Sequence, residues 1–126
     1  MSMNDPEVTM LDALSTSNLT AYRKAIEAAG LAIELVRRVP APLKSLADQV
    51  IRSASSVPAN LAEGHGRNGR DRIHHWRIAY ASAMEVDCHL QLLCITGAVH
   101  RGKATTALQR FDELRAMTWR LLHPKL

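Results

Sequence analysis

The stretch LKSLADQVIRSASSVPANLAEG, residues 43–64, decides the fold. Its apolar residues Leu43, Ala47, Val50, Ala54, Val57 and Leu61 recur at steps of three and four, the spacing of one face of an α-helix. Pro58 falls inside that register, where it removes one backbone donor and crowds the carbonyl of Ala54. Because the apolar spacing continues on both sides of the proline, the stretch reads as one kinked helix. Gly64 then serves as its C-terminal stop, in a conformation that glycine adopts at little cost.

Three further helices follow by the same test. Upstream, Leu19, Tyr22, Ile26, Ala29, Ile33 and Val36 form a seam over a helix from Ser17 to Arg38, which Val39-Pro40-Ala41-Pro42 ends. Downstream, Ile73, Trp76, Tyr80 and Ala83 form a seam in a long helix from Arg70 to Ala98, widened by Ala79, Val86, Leu90, Leu93 and Ile95. Ile78, Ala81 and Leu92 add apolar surface on a further face, so this helix needs cover on more than one side, and a second subunit is the natural source. The fourth helix, Ala104 to Leu122, points Ala107, Phe111, Leu114, Thr118 and Leu121 inward. Trp119 lies off that seam, as a packer at the bundle edge or as an oligomer contact. The short connections give an all-α, up-down-up-down four-helix bundle over residues 17–122, with a flexible acidic arm at 1–16 and a short tail at 123–126.

Composition agrees. The chain has 126 residues, enough for one domain, and apolar residues make up 47% of it with aromatics at only 4%. Net charge is +4, but its distribution says more than its size. Asp5, Glu7 and Asp12 stand in the first fifteen residues with no base, whereas Arg67, Arg70, Arg72 and Arg77 crowd one loop and helix start against the single Asp71. With no spanning apolar run, no signal-peptide pattern and no disulfide framework, the expectation is a cytoplasmic protein with no membrane partner.

A polar line accompanies the apolar seam of the second helix. Gln49, Arg52, Ser56, Asn60, Glu63 and Arg67 recur at steps of three and four beside the core face, and Ser82 and Glu85 offer partners on the third helix. The expected network pairs Arg52 with Glu85 and lets Asn60 bond the backbone that Pro58 frees. Arg67, Arg70, Arg72 and Arg77, with His74 and His75, form the candidate nucleic-acid-binding patch, since clustered cations suffice for phosphate contact.

Catalysis and metal find little footing. Asp71, His74 and His75 fit one helical turn, but a di-iron bundle needs two Glu-x-x-His motifs and two more inward Glu, and no helix carries that motif. Glu85 and His89 read as a helix-surface or interhelical contact. Cys88 and Cys94 lack Cys-x-x-Cys spacing, and His65, His100 and His123 fall in loops or the tail. The expectation is a non-enzyme with no metal and no cofactor.

The run Ser53 to Gly64, SASSVPANLAEG, with Gln49 and Arg52 before it and Arg67 after it, resembles the signature of bacterial four-helix bundle proteins, also called ribosomal-RNA intervening-sequence proteins. Ile78-Ala79, Ser82, Glu85 and Leu90 match a second block, so the resemblance covers most of Leu19 to Leu122. Ala81 stands where the family often has Gly, Asp87 where it often has Glu, and the acidic arm is extra. The resemblance implies an up-down bundle that assembles as a homopentameric ring. A related protein, the accessory variability determinant of diversity-generating retroelements, binds reverse transcriptase and nucleic acid. The expected function is therefore a homo-oligomeric bundle that binds RNA or DNA, or a nucleoprotein complex, through the basic patch. The alternative is a protein-interaction adaptor, whose partner is a reverse transcriptase or another protein.

Overall fold

The computed structural model describes residues 6–124, with the backbone alone for residues 6–16. Four helices account for nearly all of it: α1 (Pro6–Val36), α2 (Lys44–His65), α3 (Gly69–Ile95) and α4 (Arg101–Leu122), with a 3-10 turn at Ala41–Leu43 before α2. Among the described residues there is no strand. Each helix packs on two neighbours, in the order α1, α2, α3, α4 and back to α1. Connections this short reverse the chain at each step, so the bundle is up-down-up-down.

α1 starts well before Ser17. Of the expected arm, 1–16, the first five residues lie outside the described residues and the rest have helical backbone. Pro6 suits a first helical turn, where a missing N–H costs nothing. Of the expected tail, Lys125 and Leu126 lie outside the described residues.

The core is built from small residues on one side and large ones on the other. α4 buries Ala107, Phe111, Leu114, Thr118 and Leu121, and α2 buries Ala47, Val50, Ala54, Val57 and Leu61, as the spacing predicts. α3 buries Trp76, Ala79, Ala83, Val86, Leu90 and Leu93, but Ile95 is 73% exposed. On α1 the expected seam holds only in part, at Ala29 and Val36. The buried line is Ala21, Ala25, Ala28, Ala32 and Val36, while Leu19 and Ile26 stand half in solvent. A row of alanines lets α1 approach its neighbours closely, at a distance that Leu and Ile would hold open.

Gly64 is also not a stop. α2 runs one residue further, and no non-helical φ is needed at Gly64: the positive-φ glycines among the described residues are Gly69 (54°) and Gly97 (80°). Gly64 is required by a close approach instead. A Cβ there would lie 2.4 Å from Nε1 of Trp76 and 3.2 Å from the Arg72 carbonyl oxygen. The absent side chain is what lets the end of α2 lie against the indole that closes this end of the core. At the opposite end, Gly97 turns the chain out of α3, and the His100 ring nitrogen accepts from the Gly102 amide at 3.1 Å to cap α4.

Candidate nucleic-acid interface

Two sets of polar residues meet where α2 turns into α3, and the structure separates them by task. The first is a ladder across the α2–α3 interface. Ser53 Oγ donates to Glu85 Oε2 at 2.9 Å, and Ser82 Oγ donates to Ser56 Oγ at 2.9 Å. Moving from Ser53 to Ser56 up one helix moves from Glu85 to Ser82 down the other, as antiparallel partners must. Asn60 Nδ2 donates to the Ser56 carbonyl at 2.9 Å and to Ser56 Oγ at 3.0 Å, and its Oδ1 lies 2.9 Å from Nδ1 of His75. Ser53 and Ser82 are buried. Hydroxyls at such an interface stay dry at little cost only while every one has a partner, so the ladder fixes the register of the two helices.

Four residues of the expected network take part in this ladder. Ser56, Asn60, Ser82 and Glu85 belong to it, but Arg52 does not reach Glu85, because Ser53 is the residue that faces that carboxylate. Arg52 is exposed, Gln49 is half-buried, and neither has a hydrogen bond among the described residues. Among the described residues Glu63 pairs with Arg67 alone, at 3.3 Å. Asn60 bonds the Ser56 carbonyl rather than the Ala54 carbonyl that Pro58 leaves unpaired. Ser53 was legible in principle, since 49, 53, 56 and 60 step by four, three and four as regularly as the line through Arg52.

The second set is the cationic end, and it divides in the same way. Arg72 is spent on the fold. Its Nε donates to the Gly64 carbonyl at 3.0 Å and its Nη2 to the His65 carbonyl at 3.1 Å, so that it ties down two carbonyls at the end of α2, the first of which also accepts from the Arg67 amide at 3.2 Å. Its guanidinium also lies over the Trp76 ring, 5.4 Å from the centroid. His75 belongs to the ladder. Arg67 is held between Glu63 and Asp71, the latter at 3.8 Å. That leaves Arg70, His74 and Arg77, which are exposed and form no ion pair among the described residues. They stand at i, i+4 and i+7 and so line one face of α3. Beside them runs a groove of about 690 Å³ with Ile73, Leu121 and Pro124 along its wall.

The same face of α3 continues beyond the cations. Stepping on from Arg77 by three and four gives Ala81, Met84, Cys88, Leu92 and Ile95, all exposed, with Met84 at 46% and Leu92 at 42%. Trp119, also half-exposed, stacks on His123 with ring centroids 4.1 Å apart. Both cysteines carry free thiols. Among the described residues, no three His, Cys, Asp or Glu side chains converge, and no helix is long and apolar enough to cross a membrane. Asp71, His74 and His75 in particular do not gather, since His75 is turned to Asn60 and Asp71 to Arg67.

These features define a class: an antiparallel four-helix bundle with a hydrogen-bonded α2–α3 seam, an unpaired cationic end and uncovered apolar helix faces. A family model described as the 23S rRNA-intervening sequence protein matches residues 17–120, and the chain belongs to that family. Among solved structures, it is similar to a protein of unknown function from the S23 ribosomal protein family of Bacteroides thetaiotaomicron. The two are 23% identical, with a TM-score of 0.77 over 84% of this chain and 97% of that one, a likeness of fold. No curated protein matches the chain.

Proposed function

We propose that this chain is a non-enzymatic, self-associating bundle that binds nucleic acid, or a nucleoprotein complex, through Arg70, His74 and Arg77. One observation carries the reading. A single line along α3 presents unpaired cations at one end and uncovered apolar side chains at the other, and neither half has a partner among the described residues. Cations that hold no carboxylate are free to meet phosphate, and exposed Met and Leu at helical spacing call for a second helix.

The exposed apolar residues also support a ring. Leu19 and Ile26 are on α1 and Met84, Leu92 and Ile95 on α3, and these helices sit diagonally, each packed between α2 and α4. Their outer faces therefore look in opposite directions. Contact between two different faces is heterologous, and it closes into a ring if the rotation permits. A pentamer is the subunit count we assign, and a bend at Pro58 would help α2 follow such a ring. Ring symmetry would repeat the cationic end on one rim and raise its effect by avidity.

The test is an equilibrium titration of the protein with rRNA-like RNA and with duplex DNA across salt concentrations, alongside its mass in solution. Each phosphate neutralised on duplex DNA contributes a log-log salt slope of about −0.9. The Arg70→Glu/Arg77→Glu variant is expected to keep its fold and lose most affinity. Affinity that ignores salt, or survives this double reversal, overturns the nucleic-acid reading. A stable protein partner that withstands nuclease would then favour the adaptor.

A further inference from the structure

The family match begins at residue 17, yet α1 begins at Pro6, so a helical segment with acidic sequence precedes the shared bundle. Two ion pairs set the level of α1 against α4. Lys24 meets Glu113, and Glu27 meets Arg110 at 3.7 Å. Three residues up α1 correspond to three residues down α4, which puts Ser15 level with Leu122, the last residue of α4. The helical backbone from Pro6 to Leu14 therefore runs past the end of α4 by about 13 Å, at roughly 1.5 Å per residue. That end of the bundle is the one where α3 starts and where the groove of Arg70, Arg77, Ile73 and Leu121 opens.

The two features are opposite in charge and alike in apolarity. The segment holds Glu7 and Asp12 with no base, together with Val8, Met10, Leu11 and Leu14. The groove sets unpaired Arg70 and Arg77 over Ile73, Leu121 and Pro124. A helix continuous from Pro6 to Val36 carries the segment straight out along the bundle axis instead of folding it back over the end of its own copy. We propose that the acidic segment of one copy seats in the basic groove of a second copy, end to end, and so competes with polyanion for Arg70 and Arg77. The competition rests on the reading of that patch as an anion site; the docking does not.

Carbodiimide coupling of a carboxylate to an amine tests the docking directly. The full chain carrying Arg70→Lys and Arg77→Lys, mixed as isotopically light and heavy protein, is expected to give cross-links from Glu7 or Asp12 to position 70 or 77 in light–heavy pairs. Absence of these links, or links only within one isotope, overturns the proposal. Polyanion competition is read with a single-stranded RNA of twenty nucleotides. The Asp5→Asn/Glu7→Gln/Asp12→Asn chain is expected to bind it roughly fivefold tighter at low salt, because phosphate no longer has to displace carboxylates seated on Arg70 and Arg77, contacts of the strength of an exposed ion pair. Equal affinity of the two chains overturns the competition. If neither chain binds RNA, the proposed function fails, and the cross-links still decide the docking.

Discussion

Gly64→Ala puts the packing argument to its sharpest test, because general rules give it the opposite sign. Alanine in place of glycine within a helix ordinarily adds about 1 kcal/mol. Here the new methyl would lie 2.4 Å from Nε1 and 2.5 Å from Cδ1 of Trp76, well inside van der Waals contact. Trp76 is 3% exposed, so the indole has no free space to retreat into. Overpacking of this kind costs about 1–3 kcal/mol. Displacing the Arg72 carbonyl, 3.2 Å away, also strains the two hydrogen bonds that Arg72 makes to α2, and a bond to a charged group is worth about 1.5 kcal/mol. Set against the helix-propensity gain, the variant is expected to be about 2–3 kcal/mol less stable, or roughly 10 °C lower in Tm for a domain of this size. The assay is urea and thermal unfolding followed by circular dichroism, at one fixed protein concentration because association shifts apparent stability. Gly30→Ala is the internal control: a Cβ there meets nothing within 4 Å, so that variant is expected to gain up to about 1 kcal/mol. In a Trp76→Leu background the Gly64→Ala penalty is expected to shrink below ~1 kcal/mol, since directly contacting sites do not add. If Gly64→Ala proves as stable as the parent, the glycine is not there for Trp76 and the reasoning is refuted.

Asn60→Ala is expected to cost about 1–3 kcal/mol and to leave RNA affinity per folded bundle unchanged, because it removes the shared partner of Ser56 and His75; unaltered melting and unaltered mass in solution would contradict this. Arg72→Ala is expected to lower stability by about 1–2 kcal/mol through the loss of its two hydrogen bonds to the Gly64 and His65 carbonyls of α2, whereas Arg70→Ala leaves the melt unmoved, and chemical denaturation of the pair separates them. Met84→Glu with Leu92→Glu is expected to yield a helical species of 13.9 kDa in sedimentation, and a larger mass would remove α3 from the subunit interface. Glu113 is held below its ordinary 4.5 chiefly by its hydrogen bond to Lys24. A carboxyl whose folded value is depressed stabilises above the unfolded value and loses that contribution as pH falls through the folded one. Lys24→Met is therefore expected to melt slightly lower than the parent at neutral pH, by under ~1 kcal/mol for so exposed a pair, with the gap closing in acid.

How far the sequence could be read depended on whether residue size or only residue polarity was at stake. The seams of α2 and α4 were legible because each has one apolar line at helical spacing and a polar remainder. α1 has two: Leu19, Tyr22, Ile26, Ala29, Ile33 and Val36 step as regularly as Ala21, Ala25, Ala28, Ala32 and Val36. Hydrophobicity favours the first line and close packing favours the second, and packing wins because the neighbouring helices supply the bulk, Phe111 and Leu61 among them. Gly64 misled for a related reason. At the end of a helix glycine ordinarily signals a left-handed cap, and only the approach of Trp76, twelve residues on, reveals a demand for missing volume instead.

The cationic end was visible as a count of arginines and invisible as a count of available ones. Of the four between Gly64 and Arg77, two are consumed locally: Arg72 by the Gly64 and His65 carbonyls and Arg67 by flanking acids. Subtracting them leaves a smaller patch than the sequence promises, but a better-defined one, since Arg70 and Arg77 stand seven residues apart on one face with nothing to compete for them within the described residues. Roles of fold and of partner thus alternate along a few turns of one helix. A substitution that removes all four arginines would confound unfolding with loss of binding, and the informative comparison is Arg72 against Arg70, two residues apart in the chain and opposite in consequence.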